Sequence, residues 1–275
     1  MIIVGFLQNY NNVENGFLTQ CLYSMRRICD EVVVYDDGST ENVRDVYKDF
    51  GCITLNSPHN EFSRELYHKH ELLSIAMRMS PDWICWFDTD AILGRHWEDR
   101  GRTEESLMQT EEQGIALLHL HNLNLWRSDT YYRIDNSFND LWHGVFWKNT
   151  GQLHYRPIGK LHQKQYPHFY HDDEIQTVTS QFPEDSGKLL HFGFASDDEI
   201  AKKYFAYRDQ GQHGWALDRL VTEKTECDLV EAKEEWFPEW YLNEGQMDVR
   251  QKPVPIFDPE EMGEYGSYGE WKERE

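Results

Sequence analysis

The first ninety or so residues alternate between short apolar runs and segments in which apolar residues recur at helical spacing. The apolar runs predict four strands, over 2–7, 32–35, 52–55 and 83–87. The helical spacing predicts three helices between them, over 17–28, 43–50 and 62–77. Continuous apolar runs are typical of strands covered on both faces, and strands joined by helices form parallel sheets with right-handed crossovers. The chain is therefore predicted to have an α/β fold, with a mostly parallel, Rossmann-like sheet flanked by helices.

The pattern is weaker in the rest of the chain. A further strand is predicted over 115–120, and a helix that extends to Tyr207 is predicted from Ser196, where Ser-Asp-Asp-Glu forms a capping box. From about residue 226 the chain is strongly acidic, with proline and aromatic residues interspersed. We expect one domain with a first half over 1–95 and a second half over 96–225, followed by an acidic C-terminal extension over 226–275.

Charge and cysteine content restrict the partners and the compartment. The net charge of -22 repels phosphate backbones, so a nucleic-acid partner is not expected. The five cysteines include no C-x-x-C pair, which favours buried free thiols in a reducing compartment. The apolar N-terminal run is short and has no basic residues before it, and no run reaches the roughly 18 apolar residues of a spanning helix. We therefore expect a cytoplasmic protein without a transmembrane segment.

Two acids follow the second predicted strand, in the segment Asp36-Asp37-Gly38-Ser39-Thr40. Ligands of open α/β sheets bind outside the carboxyl ends of the strands, where a carboxylate accepts hydrogen bonds from a base or a ribose. The alternative is a strand-to-helix turn that uses Asp and Gly only for turn geometry. This motif by itself leaves both interpretations open.

A second acidic motif, Asp88-Thr89-Asp90, ends the fourth predicted strand. Carboxylate oxygens are the ligands that Mg²⁺ and Mn²⁺ prefer, and such an ion commonly bridges a protein acid to substrate phosphates. A solvated turn is the alternative, but the position directly after a buried aromatic run favours a metal site.

Together the two motifs resemble those of the glycosyltransferases with the GT-A fold, particularly glycosyltransferase family 2. The resemblance covers roughly residues 1 to 95, and it implies a nucleotide-sugar-binding half over 1–95 and an acceptor-binding half over 96–225. It implies a GT-A fold and a nucleoside-diphosphate sugar, with a UDP-sugar favoured over a GDP-sugar. The donor would be bound by strand-end and helix residues, namely Gln8, Asn9, Tyr10, Asp36, Asp37, Lys69 and Asp88. An exposed helix lysine is the alternative for Lys69.

The resemblance also implies a divalent metal, Mn²⁺ or Mg²⁺, held by Asp88 and Asp90. Many GT-A enzymes take a further ligand from a late segment, and His191 in Leu-Leu-His-Phe-Gly-Phe fits that position. The alternative for His191 is a histidine packed beside a strand.

An inverting transferase needs a carboxylate that removes the proton from the acceptor hydroxyl. The family spacing favours Asp173, followed by Asp172 and Glu174, although an acidic loop is the alternative for each. Gln163 stands where some relatives carry a glutamate, which leaves a retaining mechanism open. For the acceptor, a glycan or another hydroxyl compound, Trp142 and His143 are candidate contacts in an aromatic-rich region, with core packing as the alternative.

The sequence thus predicts a metal-dependent glycosyltransferase, and two other classes remain open. Haloacid-dehalogenase-like phosphohydrolases also end a buried strand in D-x-D, but their motif lies near the N-terminus, and Asp36 and Asp37 would have no role. A non-catalytic carbohydrate-binding module would use the aromatic-rich second half and leave both acidic motifs incidental.

Overall fold

The computed structural model describes residues 1–135, 138, 141–155, 167–169, 187–209, 211–213, 217, 220, 227–244 and 265–273. The chain forms two compact units. The first comprises 1–122, 142–190 and 235–239, and the second comprises 123–141, 191–234 and 240–275.

The strands and helices follow one another in the order that the sequence predicts for its first ninety residues. The strands are β1 (Ile3–Asn9), β2 (Glu31–Asp36), β3 (Ile53–Asn56), β4 (Trp83–Trp86), β5 (Ala91–Leu93), β6 (Leu117–Asn124), β7 (Tyr131–Arg133), β8 (Trp142–Lys148), β9 (Leu153–His154), β10 (His168–Phe169), β11 (Lys188–His191) and β12 (Leu229–Glu231). The α-helices are α1 (Phe17–Arg26), α2 (Val43–Asp49), α3 (Glu65–Arg78), α4 (Arg100–Glu112), α5 (Asp197–Asp209), α6 (Glu239–Glu244) and α7 (Tyr268–Lys272).

The main sheet has eight strands in the order β3-β2-β1-β4-β8-β6-β11-β5. The strands β3, β2, β1 and β4 are parallel, and Phe6 of β1 pairs with Val33 on one side and Trp86 on the other. The next strand, β8, runs antiparallel to both β4 and β6. The predicted α/β fold, with a Rossmann-like parallel region flanked by helices, is confirmed.

Both faces of β1, β2 and β4 are buried, as their continuous apolar runs predict, whereas the edge strand β3 is largely exposed. On one face, Leu7 and Val34 belong to a core cluster with residues of α1. On the other face, Phe6, Val33 and Trp86 belong to a cluster with Leu72, Leu73 and Ala76 of α3. Successive strand residues point to opposite faces of the sheet. Two consecutive polar residues at the end of a strand therefore contact helices on opposite faces.

The second unit has its own apolar core. Residues of α5, including Ile200 and Phe205, pack there with Trp126, Phe194 and Trp271. The predicted cap of α5 is confirmed, because the Glu199 amide donates to the Ser196 hydroxyl at 3.2 Å. Since Trp271 lies in α7, this part of the acidic C-terminal extension packs into the core of the unit.

Helix α4 has no counterpart in the sequence prediction. Its buried residues are Thr103, Ser106, Leu107 and Thr110, so its inner face shows almost no apolar periodicity. The helix begins at Asp99, whose side chain accepts a hydrogen bond from the Arg102 amide at 2.8 Å. The Thr103 and Thr110 hydroxyls donate to backbone carbonyls four residues earlier, Asp99 O and Ser106 O. A helix whose inner face is polar in this way cannot be predicted from apolar spacing.

Two further predictions concern cysteines and membrane spans. All five cysteines are free thiols, and Cys21, Cys29 and Cys85 are buried. In the part of the chain that the structure describes, no helix is long and apolar enough to cross a membrane.

Candidate functional site

The carboxyl ends of β1 and β4 lie next to each other in the sheet, at the point where the strand order reverses direction. Open α/β sheets bind their ligands at this switch point, since the loops that follow the two strands turn to opposite sides. Thr89 connects the two strand ends, because its hydroxyl donates to the Gln8 carbonyl at 2.7 Å. The site residues predicted in the first ninety positions therefore converge at one edge of the first unit.

Asp36 points to the face of α2 and shapes the loop that follows β2. Its buried carboxylate accepts hydrogen bonds from the Ser39 amide at 2.9 Å, the Ser39 hydroxyl at 2.7 Å and the Tyr47 hydroxyl at 2.7 Å. The Asn9 amide group in turn donates to the Tyr47 oxygen at 2.9 Å. These contacts give Asp36 and Asn9 a structural role in the loop, and a direct contact of either residue with a nucleotide stays a prediction.

Gly38 allows the same loop to pass close to the segment 59–60. Its φ of +74° lies in the left-handed region, and a Cβ at this position would lie 2.2 Å from the carbonyl carbon of His59. The loop is also joined to the one after β1, because Asn11 Oδ1 accepts from the Thr40 amide at 2.8 Å. Tyr10, in that loop, is exposed.

Asp37 points to the opposite face, towards α3. Its Oδ1 accepts the Glu61 amide at 2.9 Å and lies 3.7 Å from His68 Nδ1. The Gln8 amide nitrogen lies 3.2 Å from the same His68 nitrogen, and the His68 ring stacks on Tyr35 with centroids 4.0 Å apart. Asp37, Gln8 and His68 thus form a buried polar cluster beside the aromatic face of Tyr35.

Three buried atoms of this cluster have no hydrogen-bond partner among the described residues: Gln8 Oε1, Asp37 Oδ2 and His68 Nε2. A buried polar atom without a partner costs about 1–3 kcal/mol, so three at one strand end call for an explanation. Burial lowers the pKa of His68, which keeps the ring neutral. If Nδ1 accepts from the Gln8 amide, the proton is on Nε2, and the cluster offers one donor and two acceptors.

The charge of Asp37 should make stability depend on pH. Burial, with the nearby charges of Glu61 and Asp36, raises the pKa of Asp37. A raised pKa in the folded state means that folding favours the protonated form, so stability is lost as pH rises through that value. We therefore expect the stability of Asp37→Asn relative to the wild type, measured as the difference in Tm, to increase as pH rises above about 4, the ordinary pKa of an aspartate. A difference that stays constant over this range would contradict the prediction.

Lys69 is buried, which rules out the alternative of an exposed helix lysine. Its Nζ lies 2.5 Å from Glu65 Oε1 and 5.0 Å from the centre of the Trp86 ring. Both charged residues lie on the face of α3 that also carries Leu72 and Leu73. The structure therefore places a paired lysine beside the end of β4, where a cation is well positioned for phosphate oxygens.

Asp88 and Asp90 provide oxygen ligands of the kind that Mg²⁺ and Mn²⁺ prefer. Asp88 is exposed at the end of β4, Asp90 is partly buried, and Thr89 between them is held by its bond to β1. Within the described ranges, no group of three His, Cys, Asp or Glu residues could hold a metal ion. Since Mg²⁺ is usually bound by one or two carboxylates together with substrate phosphates, the two acids fit a metal that the substrate helps to hold.

The remaining predicted residues belong to later elements of the chain. His191 is the last residue of β11, belongs to the second unit, and its ring lies 5.2 Å from that of Phe194. Trp142 and His143 lie on β8 in the first unit, where Trp142 stacks on His121 and His143 packs on Trp86. The candidate catalytic acids Asp172, Asp173 and Glu174 lie outside the described residues.

Two residues of the site were not predicted from the sequence: Glu65 and His68. Tyr155, buried just after β9, is one of the aromatic residues of the predicted acceptor half. The sequence did contain a signal for Glu65 and His68. Both are polar, and both lie on the side of α3 that its apolar spacing assigns to the core, where charged or titratable groups are rare unless paired.

Comparisons with protein-family models and with curated proteins found no match. The chain is similar to the solved structure of S. aureus TarS 1-349, at 17% identity over 46% of this chain and 36% of that one, with a TM-score of 0.34. It is also similar to glucosyl-3-phosphoglycerate synthase from Mycobacterium tuberculosis in complex with Mn²⁺ and UDP-glucose, at 20% identity over 45% and 43% of the two chains, with a TM-score of 0.28. The chain thus spans less than half the length of each, and TM-scores this low do not bear on its function.

Proposed function

We propose that this protein transfers a sugar from a nucleoside-diphosphate sugar to an acceptor hydroxyl, with Mn²⁺ or Mg²⁺ bound beside the diphosphate. The observation that carries the proposal is the set of three buried polar atoms of Gln8, Asp37 and His68 that have no partner in the described part of the chain. They lie at the switch point of the sheet, next to the acids of β4, where a polar ligand would satisfy them.

Different donor residues bind different parts of the nucleotide. The cluster of Gln8, Asp37 and His68 binds the base, since a carboxylate accepts a ring N–H and the His68 Nε2–H donates to a carbonyl oxygen. This pattern suits uracil, and guanine is the second choice. Lys69 provides positive charge for the diphosphate, and the face of Trp86 beneath it limits its freedom to move.

Asp88 and Asp90 would hold the metal, which when bound would neutralise the charge that develops on the departing nucleoside diphosphate. His191 is proposed as a further ligand. On the acceptor side, Asp173, or its neighbour Asp172 or Glu174, removes the proton from the attacking hydroxyl, which gives inversion at the anomeric carbon. We place the donor half within 1–95 and the acceptor half within 96–225, with Trp142 and His143 contacting the acceptor, and we propose a cytoplasmic location.

A thermal-shift screen of UDP, GDP, dTDP and CMP sugars, each with and without Mn²⁺, tests this function. A true donor at about 100 times its dissociation constant should stabilise the folded state by roughly 2.7 kcal/mol, and the effect should be larger with Mn²⁺. No stabilisation by any donor would contradict the proposal. Release of phosphate from simple phosphate esters would instead favour the phosphohydrolase, and sugar binding that ignores both nucleotide and chelator would favour a carbohydrate-binding module.

A further inference from the structure

The hydroxyl of Tyr155 has no hydrogen-bond partner among the described residues, although the side chain is only 3% exposed. The same is true of the second carboxylate oxygen of Glu65, whose first oxygen is paired with Lys69. A phenylalanine would fill the space of Tyr155 without leaving a buried hydroxyl unpaired, and an unpaired group of this kind costs about 1–3 kcal/mol. Two such atoms on neighbouring elements therefore point to a missing ligand.

Several contacts place Tyr155 beside the donor residues of the same unit. Tyr155 and Trp86 belong to one core cluster, and the Trp86 ring lies beneath Lys69. The Tyr155 ring centre lies 5.7 Å from that of His70 on α3. Burial raises the pKa of Tyr155 well above its ordinary value, and the charges of Glu65 and Asp88 raise it further. The hydroxyl therefore remains protonated and is available as a hydrogen-bond donor.

The chemistry of this pair favours a neutral, hydroxylated ligand. The free oxygen of Glu65 needs a hydrogen-bond donor, which an ionised phosphate lacks, whereas a sugar hydroxyl both accepts a hydrogen bond and donates one. We propose that Tyr155 and Glu65 form the subsite for the transferred sugar, in which one ring hydroxyl accepts from Tyr155 and donates to Glu65. This inference rests on the proposed function, because it assigns to the donor sugar a position next to the base and diphosphate residues.

Calorimetric titrations of Tyr155→Phe separate the sugar from the nucleotide. The ligands are UDP and UDP-glucose, or GDP and GDP-mannose if the thermal screen selects guanine, all with Mn²⁺. The variant should bind the nucleotide sugar about 3- to 10-fold more weakly than the wild type, the effect of one lost neutral hydrogen bond, and should bind the plain nucleotide equally well. Its Tm without ligand should be no lower than that of the wild type. Tyr23→Phe, on α1, is the matched control and should leave both affinities unchanged.

Each other outcome overturns the inference. Unchanged affinity for the nucleotide sugar, or an equal loss for nucleotide and nucleotide sugar, would show that the hydroxyl does not contact the sugar. A lower Tm for Tyr155→Phe would show that the hydroxyl stabilises the free protein. If the wild type binds neither the nucleotides nor the nucleotide sugars, the proposed function fails as well, and this result is distinguishable because it does not involve the variant.

Discussion

Asp90→Asn should lower metal-dependent sugar transfer by about 100-fold or more and leave the protein folded. The described residues supply no group of three potential ligands, so among them Asp88 and Asp90 are the two carboxylates that we propose for the metal. Loss of one of the two charged ligands weakens metal binding. The negative charge that develops on the departing diphosphate is then no longer neutralised. The measurement is the rate of transfer, or of donor hydrolysis if no acceptor is known, as a function of Mn²⁺ concentration.

Asp49→Asn is the matched control for the change of charge. Asp49 is exposed on α2, and its replacement should leave the Mn²⁺ titration unchanged. Thermal unfolding of both variants should be close to that of the wild type, because Asp90 is only partly buried. A fully active Asp90→Asn variant would show that Asp90 is not a ligand of the metal.

Gly38→Ala should destabilise the protein by about 3 kcal/mol or more and also weaken donor binding. A non-glycine residue at φ +74° is strained, and the added Cβ would lie 2.2 Å from backbone of His59, which no side-chain rotation relieves. The loop must then move, and Asp37 moves with it. The free energy of unfolding from denaturant titration gives the stability term, and calorimetry gives the donor affinity.

Gly51→Ala is the control that separates strain from collision. Gly51 has a φ of +62°, but nothing lies within 4 Å of the position of its Cβ. Its replacement should lower the free energy of unfolding by only about 1–2 kcal/mol, the cost of the left-handed backbone conformation, and leave donor affinity unchanged. Equal costs at the two positions would show that the loop does not need its close approach to 59–60.

The sequence predicts the parallel region well because β1, β2 and β4 are buried on both faces and the helices between them have apolar stripes. It also identifies both acidic strand ends. It does not distinguish the roles of Asp36 and Asp37, since that depends on which helix covers each face: Tyr47 of α2 meets Asp36, and His68 of α3 meets Asp37. Asp36 therefore holds the turn, whereas Asp37 has a buried oxygen without a partner among the described residues, and a contact of either acid with a nucleotide stays a prediction.

The burial of two other residues of the site depends on packing that the sequence pattern does not show. The sequence leaves Lys69 either as a donor-binding residue or as an exposed helix lysine, and the structure shows it buried and paired with Glu65 beside Trp86. Tyr155 follows a two-residue strand, too short to give a periodic signal, and its importance comes from an unpaired hydroxyl. Packing in three dimensions, rather than local propensity, decides both.

The central claim is that Asp37 and Asp90 act on one bound nucleotide sugar, at opposite ends of the nucleoside diphosphate. Calorimetric titration of the selected donor into the wild type, Asp37→Asn and Asp90→Asn, each with Mn²⁺ and with a chelator, tests it most directly. We predict saturable binding at one site, weakened about tenfold or more by the chelator and by either substitution, with the chelator having little further effect on Asp90→Asn. Equal affinities in all three proteins, or a chelator effect as large in Asp90→Asn as in the wild type, would contradict the claim.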